Sequence, residues 1–269
     1  MRKNLLIVAF WALTMPLLVG QEVLVPGENY YDESKGIIYN KELTFNFKLL
    51  TNGYAFGVDI GTLQTYYLTR FYSIEIGELK HPKEFRQSFD FRSPTTNRIS
   101  RAFIFGKENT FIPLRLAYGE KRYLSEKAKH KGVAIGLSYA GGPSIGLLKP
   151  YYLDLLRFND TGGEPFVRSE RFTEENADYF LNTNNIYGSS GFARGLDEIS
   201  IAPGVHAKFA VHFDWGAFDE FAKAIEAGVM VDYYFSRVPI MVDSPLVENA
   251  ENKAVFINLY LNLQLGKRW

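Results

Sequence analysis

The stretch that most limits what this chain can become is residues 254–269. Val255, Ile257, Leu259, Leu261, Leu263 and Leu265 share one parity, while Phe256, Asn258, Tyr260, Asn262 and Gln264 share the other. A strand turns successive side chains to opposite faces, so this alternation gives one greasy face and one polar or aromatic face. A soluble half-buried strand has the same alternation, but a long strand finishing on Trp269 suits a barrel in lipid, whose last strand must pair with its first to leave no open edge. The fold class predicted from this stretch is all-β, a single transmembrane antiparallel up-and-down β-barrel. Trp269 is expected as an interfacial anchor.

The amino terminus fits export. Arg2 and Lys3 precede an apolar run from Leu5 to Val19, closed by Gly20. A charged start, a short apolar core and a small residue mark residues 1–20 as a secretory signal, and the run is short for a membrane span. Residues 21–35 are polar and turn-rich and read as a periplasmic lead-in, leaving 36–269 for the barrel. Without Arg2 and Lys3, the thirty cations of the chain become 28 against 30 acids, which gives no nucleic-acid signature. The chain has no cysteine, so disulfides, thiolate metal sites and lipoprotein attachment are excluded. Aromatic residues reach 16%, in keeping with girdles at the two lipid–water boundaries and with an outer-membrane location.

Strands are predicted at 42–49, 54–62, 67–76, 101–106, 111–118, 132–140, 144–156, 201–213, 221–234 and 254–269. Thr51-Asn52-Gly53 is a tight-hairpin signal, and Gly141-Gly142 reads as a second turn. Turns at 63–66, 107–110, 141–143 and 214–219 alternate with long polar segments at 77–100, 119–131, 157–198 and 235–253. This predicts short periplasmic turns and long extracellular loops on a barrel of about ten strands, with eight or twelve also compatible.

The inward parity collects Glu42, Lys48, Asp59, Glu75, Arg115, His206, Lys208, His212, Glu226 and Asp232. In a narrow barrel these are expected to pair into a lumen charge network that fills the interior. The same residues also suit a conducting path. His206 and His212 lie six residues apart, roughly 20 Å along a strand, too far to share one metal ion. At the rim, His81-Pro82-Lys83-Glu84 and Gly195-Leu196-Asp197-Glu198 gather His81, Lys83, Glu84, Asp197 and Glu198, groups able to activate water. The alternative is that Pro82 stiffens its loop and the charges pair across loops. No nucleophile–base pair, phosphate-binding loop or metal box is present, and no cofactor is expected.

Several blocks together carry a resemblance. Glu75-Ile76 leading to Lys80-His81-Pro82-Lys83-Glu84, Lys149-Pro150-Tyr151-Tyr152-Leu153, Ile186-Tyr187-Gly188, Gly195-Leu196-Asp197-Glu198, Pro203-Gly204 and Gly266-Lys267-Arg268-Trp269 resemble a family of small outer-membrane β-barrel proteins from Bacteroidota-type Gram-negative bacteria. The resemblance runs from Gly57 to Trp269. It implies location and fold and assigns no catalytic residue; by looser analogy it implies an accessory place in secretion or barrel-assembly machinery. Resemblance to other barrels implies that Leu261, Leu263, Leu265 and Trp269 form an assembly signal read by barrel-insertion machinery. The expected function is a structural or accessory barrel, not an enzyme, embedded in outer-membrane lipid and docking a partner protein through its extracellular loops. A narrow channel and a rim-site hydrolase are the alternatives.

Overall fold

Thirteen strands run through the described residues: β1 (Lys41–Leu50), β2 (Gly53–Thr65), β3 (Leu68–Leu79), β4 (Arg86–Gln87), β5 (Phe103–Ile104), β6 (Asn109–Tyr123), β7 (Ala134–Pro150), β8 (Tyr152–Arg157), β9 (Phe166–Arg171), β10 (Ile186–Ser189), β11 (Ser200–Asp214), β12 (Phe221–Tyr234) and β13 (Val255–Arg268). This computed structural model describes residues 39–88, 100–125, 132–158, 165–217, 219–247 and 251–269. The expected signal at 1–20 and lead-in at 21–35 lie outside them. Eight strands close a barrel in the order β1-β13-β12-β11-β7-β6-β3-β2, with every neighbour antiparallel.

The barrel therefore has eight strands, not about ten, for two reasons. Residues 132–140 and 144–156 were expected as two strands around Gly141-Gly142, but β7 runs unbroken through both glycines to Pro150. Gly142 serves close approach, since a Cβ there would lie 2.1 Å from the Leu116 carbonyl oxygen on β6. The expected strand at 101–106 shrinks to β5, which pairs with β4 outside the barrel.

The connections sort by end. The end bearing Lys41 and Arg268 has connections at 66–67, 124–133 and 215–220. The opposite end has the tight turn 51–52 and the long segments 80–108, 151–199 and 235–254. The basic segment 119–131 was expected among the long loops; instead β6 continues to Tyr123 and the remainder joins the end of short connections. Among the described residues of 157–198, expected as unpatterned loop, are β9, β10 and a short helix α1 (Ala177–Phe180), with β10-β8-β9 forming a three-stranded sheet.

Burial follows the pleat and is inverted relative to a soluble barrel. On β13, Val255 through Leu265 in steps of two are exposed, Leu259 at 65%, while Asn258, Tyr260, Asn262 and Gln264 are buried. Phe45, Leu49, Phe56, Ile60, Ile74, Ile76, Phe209 and Ile225 extend the apolar belt around the wall. Trp215, Phe221 and Trp269 are exposed at the end bearing Lys41 and Arg268, and Tyr54, Tyr233 and Phe235 at the other. A belt of this size would aggregate in water; against acyl chains it is at home, and strands of 10 to 17 residues meet the ~9–11 that a tilted crossing needs.

Candidate functional site

The interior splits into a charged zone and an apolar zone. In the middle of the barrel Arg115 on β6 grips Asp232 on β12 with a two-pronged fork, Nε to Oδ1 at 2.6 Å and Nη2 to Oδ2 at 2.9 Å. Its Nη1 donates to Glu75 Oε1 on β3 at 2.9 Å, and Glu75 also takes the Lys48 ammonium from β1. Lys208 on β11 stands 3.9 Å from Glu75 and 5.7 Å from the Phe71 ring, an added attraction for the cation. The ladder continues towards the end bearing Lys41 and Arg268. Glu226 meets His212 Nδ1 at 3.1 Å and accepts from Asn262 at 3.0 Å. Glu42 accepts from Lys121 at 3.0 Å and from Arg268 at 2.7 Å. Arg268 also donates to Asp214 at 2.8 Å, and Asp214 accepts the Tyr123 hydroxyl at 2.7 Å.

All ten residues assigned to the lumen from parity lie buried in this interior: Glu42, Lys48, Asp59, Glu75, Arg115, His206, Lys208, His212, Glu226 and Asp232. The network joins seven of them directly and reaches Lys208 at the edge of ion-pair distance. Asp59 Oδ1 and His206 Nδ1 take no hydrogen bond among the described residues. Sequence reasoning missed Lys121, Tyr123, Asp214 and Arg268. Their parity was available: Arg115, Ala117, Gly119, Lys121 and Tyr123 alternate on one face of β6. The signal failed because the outward partners Glu120 and Arg122 are charged, which reads as loop. They sit where the wall leaves the apolar belt, and Glu120 collects Arg70, Arg122 and the Tyr139 hydroxyl at 2.6 to 3.1 Å.

The other end is sealed by apolar packing. Phe111 and Phe256 stack and Tyr234 meets both edge-on, with ring centroids 5.1 to 6.0 Å apart. Gly146 makes room, since a Cβ there would lie 2.5 Å from the Phe111 ring. The same buried cluster takes in Phe103, Leu153, Leu155, Phe180, Leu181, Ile186, Val238, Ile240, Met241 and Val242, so all three long connections contribute to one cap over the barrel. Backbone bonds tie them: Glu108 N–H and Asn109 N–H donate to the Ile240 carbonyl, Val242 N–H to Gly106, and Tyr151 N–H to Glu108.

The rim motifs are engaged in holding this cap. His81 Nδ1 accepts the Lys83 N–H at 3.2 Å, so the neutral ring carries its proton on Nε2, 3.4 Å from the Glu251 carbonyl. Burial holds the His81 pKa below the usual imidazole value, with Lys253 and Lys83 adding to the effect. Glu84 accepts from the His81 N–H at 3.0 Å and pairs with buried Lys107 at 2.7 Å. Pro82 and Lys83 form the exposed turn between them. Gly195 has φ +79°, a left-handed turn that suits glycine, and Asp197 is exposed beside it. Glu198 takes Arg171 at 2.6 Å and the Tyr152 hydroxyl at 2.8 Å; burial, together with the Glu198 carboxylate, raises the Tyr152 pKa. Among the described residues no hydrogen bond or ion pair joins one motif to the other. Leu261, Leu263 and Leu265 face outward; the Trp269 carbonyl accepts the N–H groups of Asn40 and Lys41, holding the last residue against the first strand. Among the described residues no three His, Asp or Glu side chains gather as metal ligands.

No family model and no curated protein sequence matches this chain. Among solved structures it is similar to Ail, the attachment invasion locus protein of Yersinia pestis, at 10% identity and a TM-score of 0.36, covering 86% of this chain and 97% of that one. It is similar to Neisserial surface protein A at 8% identity and a TM-score of 0.35, covering 86% and 95%. It is also similar to the N-terminal β-barrel domain of Pseudomonas aeruginosa OprF at 10% identity and a TM-score of 0.32, covering 86% and 98%.

Proposed function

We propose that the chain is an outer-membrane β-barrel of Bacteroidota type with a structural or accessory role, whose capped end docks a partner protein. The apolar belt requires lipid, and a closed barrel satisfies its backbone in lipid without a helix. The observation that carries the functional reading is the filled interior. Arg115 and Lys121 are each 1% exposed inside the barrel, and the Phe111 cluster seals the end above them. With the lumen occupied, the working surface is the outer face of the cap, where three long connections are held in one arrangement. Accessory work in secretion or barrel assembly fits such a surface. Glu84, Glu198 and His81 are bound to other protein groups, and the proposed role is not hydrolytic.

Purified protein in a planar bilayer should give no single-channel steps; steady steps would overturn the filled-lumen reading. Cross-linking in native membranes through residues placed on the cap should capture one stoichiometric protein. Recovery of the monomer alone from every cap position would overturn partner docking.

A further inference from the structure

At the capped end Lys80, Arg86, Arg101, Lys107 and Lys149 line one cleft of about 580 Å³. Two carboxylates share it, and both are engaged: Glu84 with Lys107 at 2.7 Å, and Glu78 with the Tyr54 hydroxyl at 2.9 Å. Among the described residues no carboxylate lies within ion-pair distance of the other four cations. Lys149 is the telling one. It is 2% exposed, and what its ammonium faces is the Phe192 ring at 4.8 Å. A buried cation without a counter-charge is costly, and here it borders a space large enough for a ligand.

A second groove, about 190 Å³, runs down the outer wall beside the cleft and is lined by Tyr54, Phe56, Ile76 and Ile112. Glu78, Thr110 and Phe192 line both. The basic cleft and the apolar groove therefore meet, one above the belt and one upon it.

We propose that this joined site binds an anionic lipid, with its phosphate group among Arg86, Arg101 and Lys149 and an acyl chain along Phe56, Ile76 and Ile112. Arginine forks match phosphate oxygens, and basic pockets at a membrane boundary suit phosphorylated headgroups. A zwitterionic headgroup would bring a further cation to four that lack partners. A soluble phosphate compound would leave the groove unused. The proposal does not depend on partner docking.

The test uses the full mature chain in detergent, with short-chain phosphatidic acid, short-chain phosphatidylcholine and inorganic pyrophosphate as probes. Phosphatidic acid should bind saturably and raise the temperature at which the heat-modifiable band is lost, while phosphatidylcholine should not. The double variant Arg86→Ala/Arg101→Ala, both positions exposed, should weaken phosphatidic acid by about tenfold or more and keep the heat-modifiable band. Phe56→Ala should weaken phosphatidic acid and leave pyrophosphate binding unchanged. If the double variant loses its fold, the single variant Arg86→Ala reports in its place. Equal binding of the two lipids overturns the proposal, as does undiminished binding by the variants. Pyrophosphate binding as tightly as phosphatidic acid would assign the cleft to a soluble phosphate compound and overturn the lipid assignment.

Discussion

Arg115 is the side chain the interior can least do without. It gives Asp232 both prongs and Glu75 a third bond, all within the barrel. Arg115→Met would leave Asp232 with no ion pair among the described residues and return Glu75 to its lysines, so the loss is that of breaking a buried pair, about 3–5 kcal/mol. Urea titration of the variant refolded into vesicles measures it; a loss below about 1 kcal/mol, the scale of an exposed pair, would mean the ladder is hydrated. His81 makes a prediction about pH. Its folded pKa is lowered, so the tether is intact above the unfolded value of about 6.5 and is lost as pH falls through the folded one. Protonation of Nδ1 removes the acceptor for Lys83 N–H. A histidine NMR titration in micelles should give His81 a midpoint below 6.5; a midpoint at or above that value would contradict the burial argument.

At the scale of the strand, β13 sets two neighbouring substitutions against each other. Leu261→Arg places a charge on the outer face, where it costs roughly 2–4 kcal/mol near the bilayer midplane. Asn262→Arg points inward to Glu226, which Asn262 already reaches at 3.0 Å, and is limited by space. The folded fraction by heat-modifiability should fall further for Leu261→Arg; the reverse order would shift the register by one. Deleting Trp269 removes the acceptor for Asn40 and Lys41 N–H and should lower membrane assembly with export unchanged, read by fractionation. The alternation in β1, β2, β3, β12 and β13 was legible because an apolar belt on one side and a charged lumen on the other leave little freedom at each position. Gly141-Gly142 misled because glycine marks both a turn and a close approach, and the Leu116 carbonyl that decides between them lies on another strand. Arg101–Gly106 misled because a two-residue ribbon packed under a cap needs the same apolar residues as a short barrel strand. The lumen could be read by parity, but which acid meets which base depends on the stagger of strands far apart in sequence. Lys121 belongs with Glu42 across 79 positions.

For the whole molecule, two seals lie in series along the barrel axis, one apolar and one charged. Ile240→Asp should loosen the cap by burying a carboxylate in the Phe111 cluster, and loops at that end should become protease-sensitive. The strand ladders below do not pass through Ile240, so the heat-modifiable band should persist and the bilayer should stay silent. Conductance in this variant would show that the charged ladder alone does not block the lumen. The seam between β1 and β13 has a further consequence, one of timing. Glu42 meets Arg268 across 226 positions, and every residue of the seam has its partner at a comparable distance along the chain. Such pairings are slow to find, because the chain between them must first be brought to order. Until β13 arrives, β1 is a bare edge offering its N–H and C=O groups to any other strand, and a greasy one. The ring cannot close piecemeal as the polypeptide emerges. It has to be carried open and shielded to the bilayer, and set in a single late step.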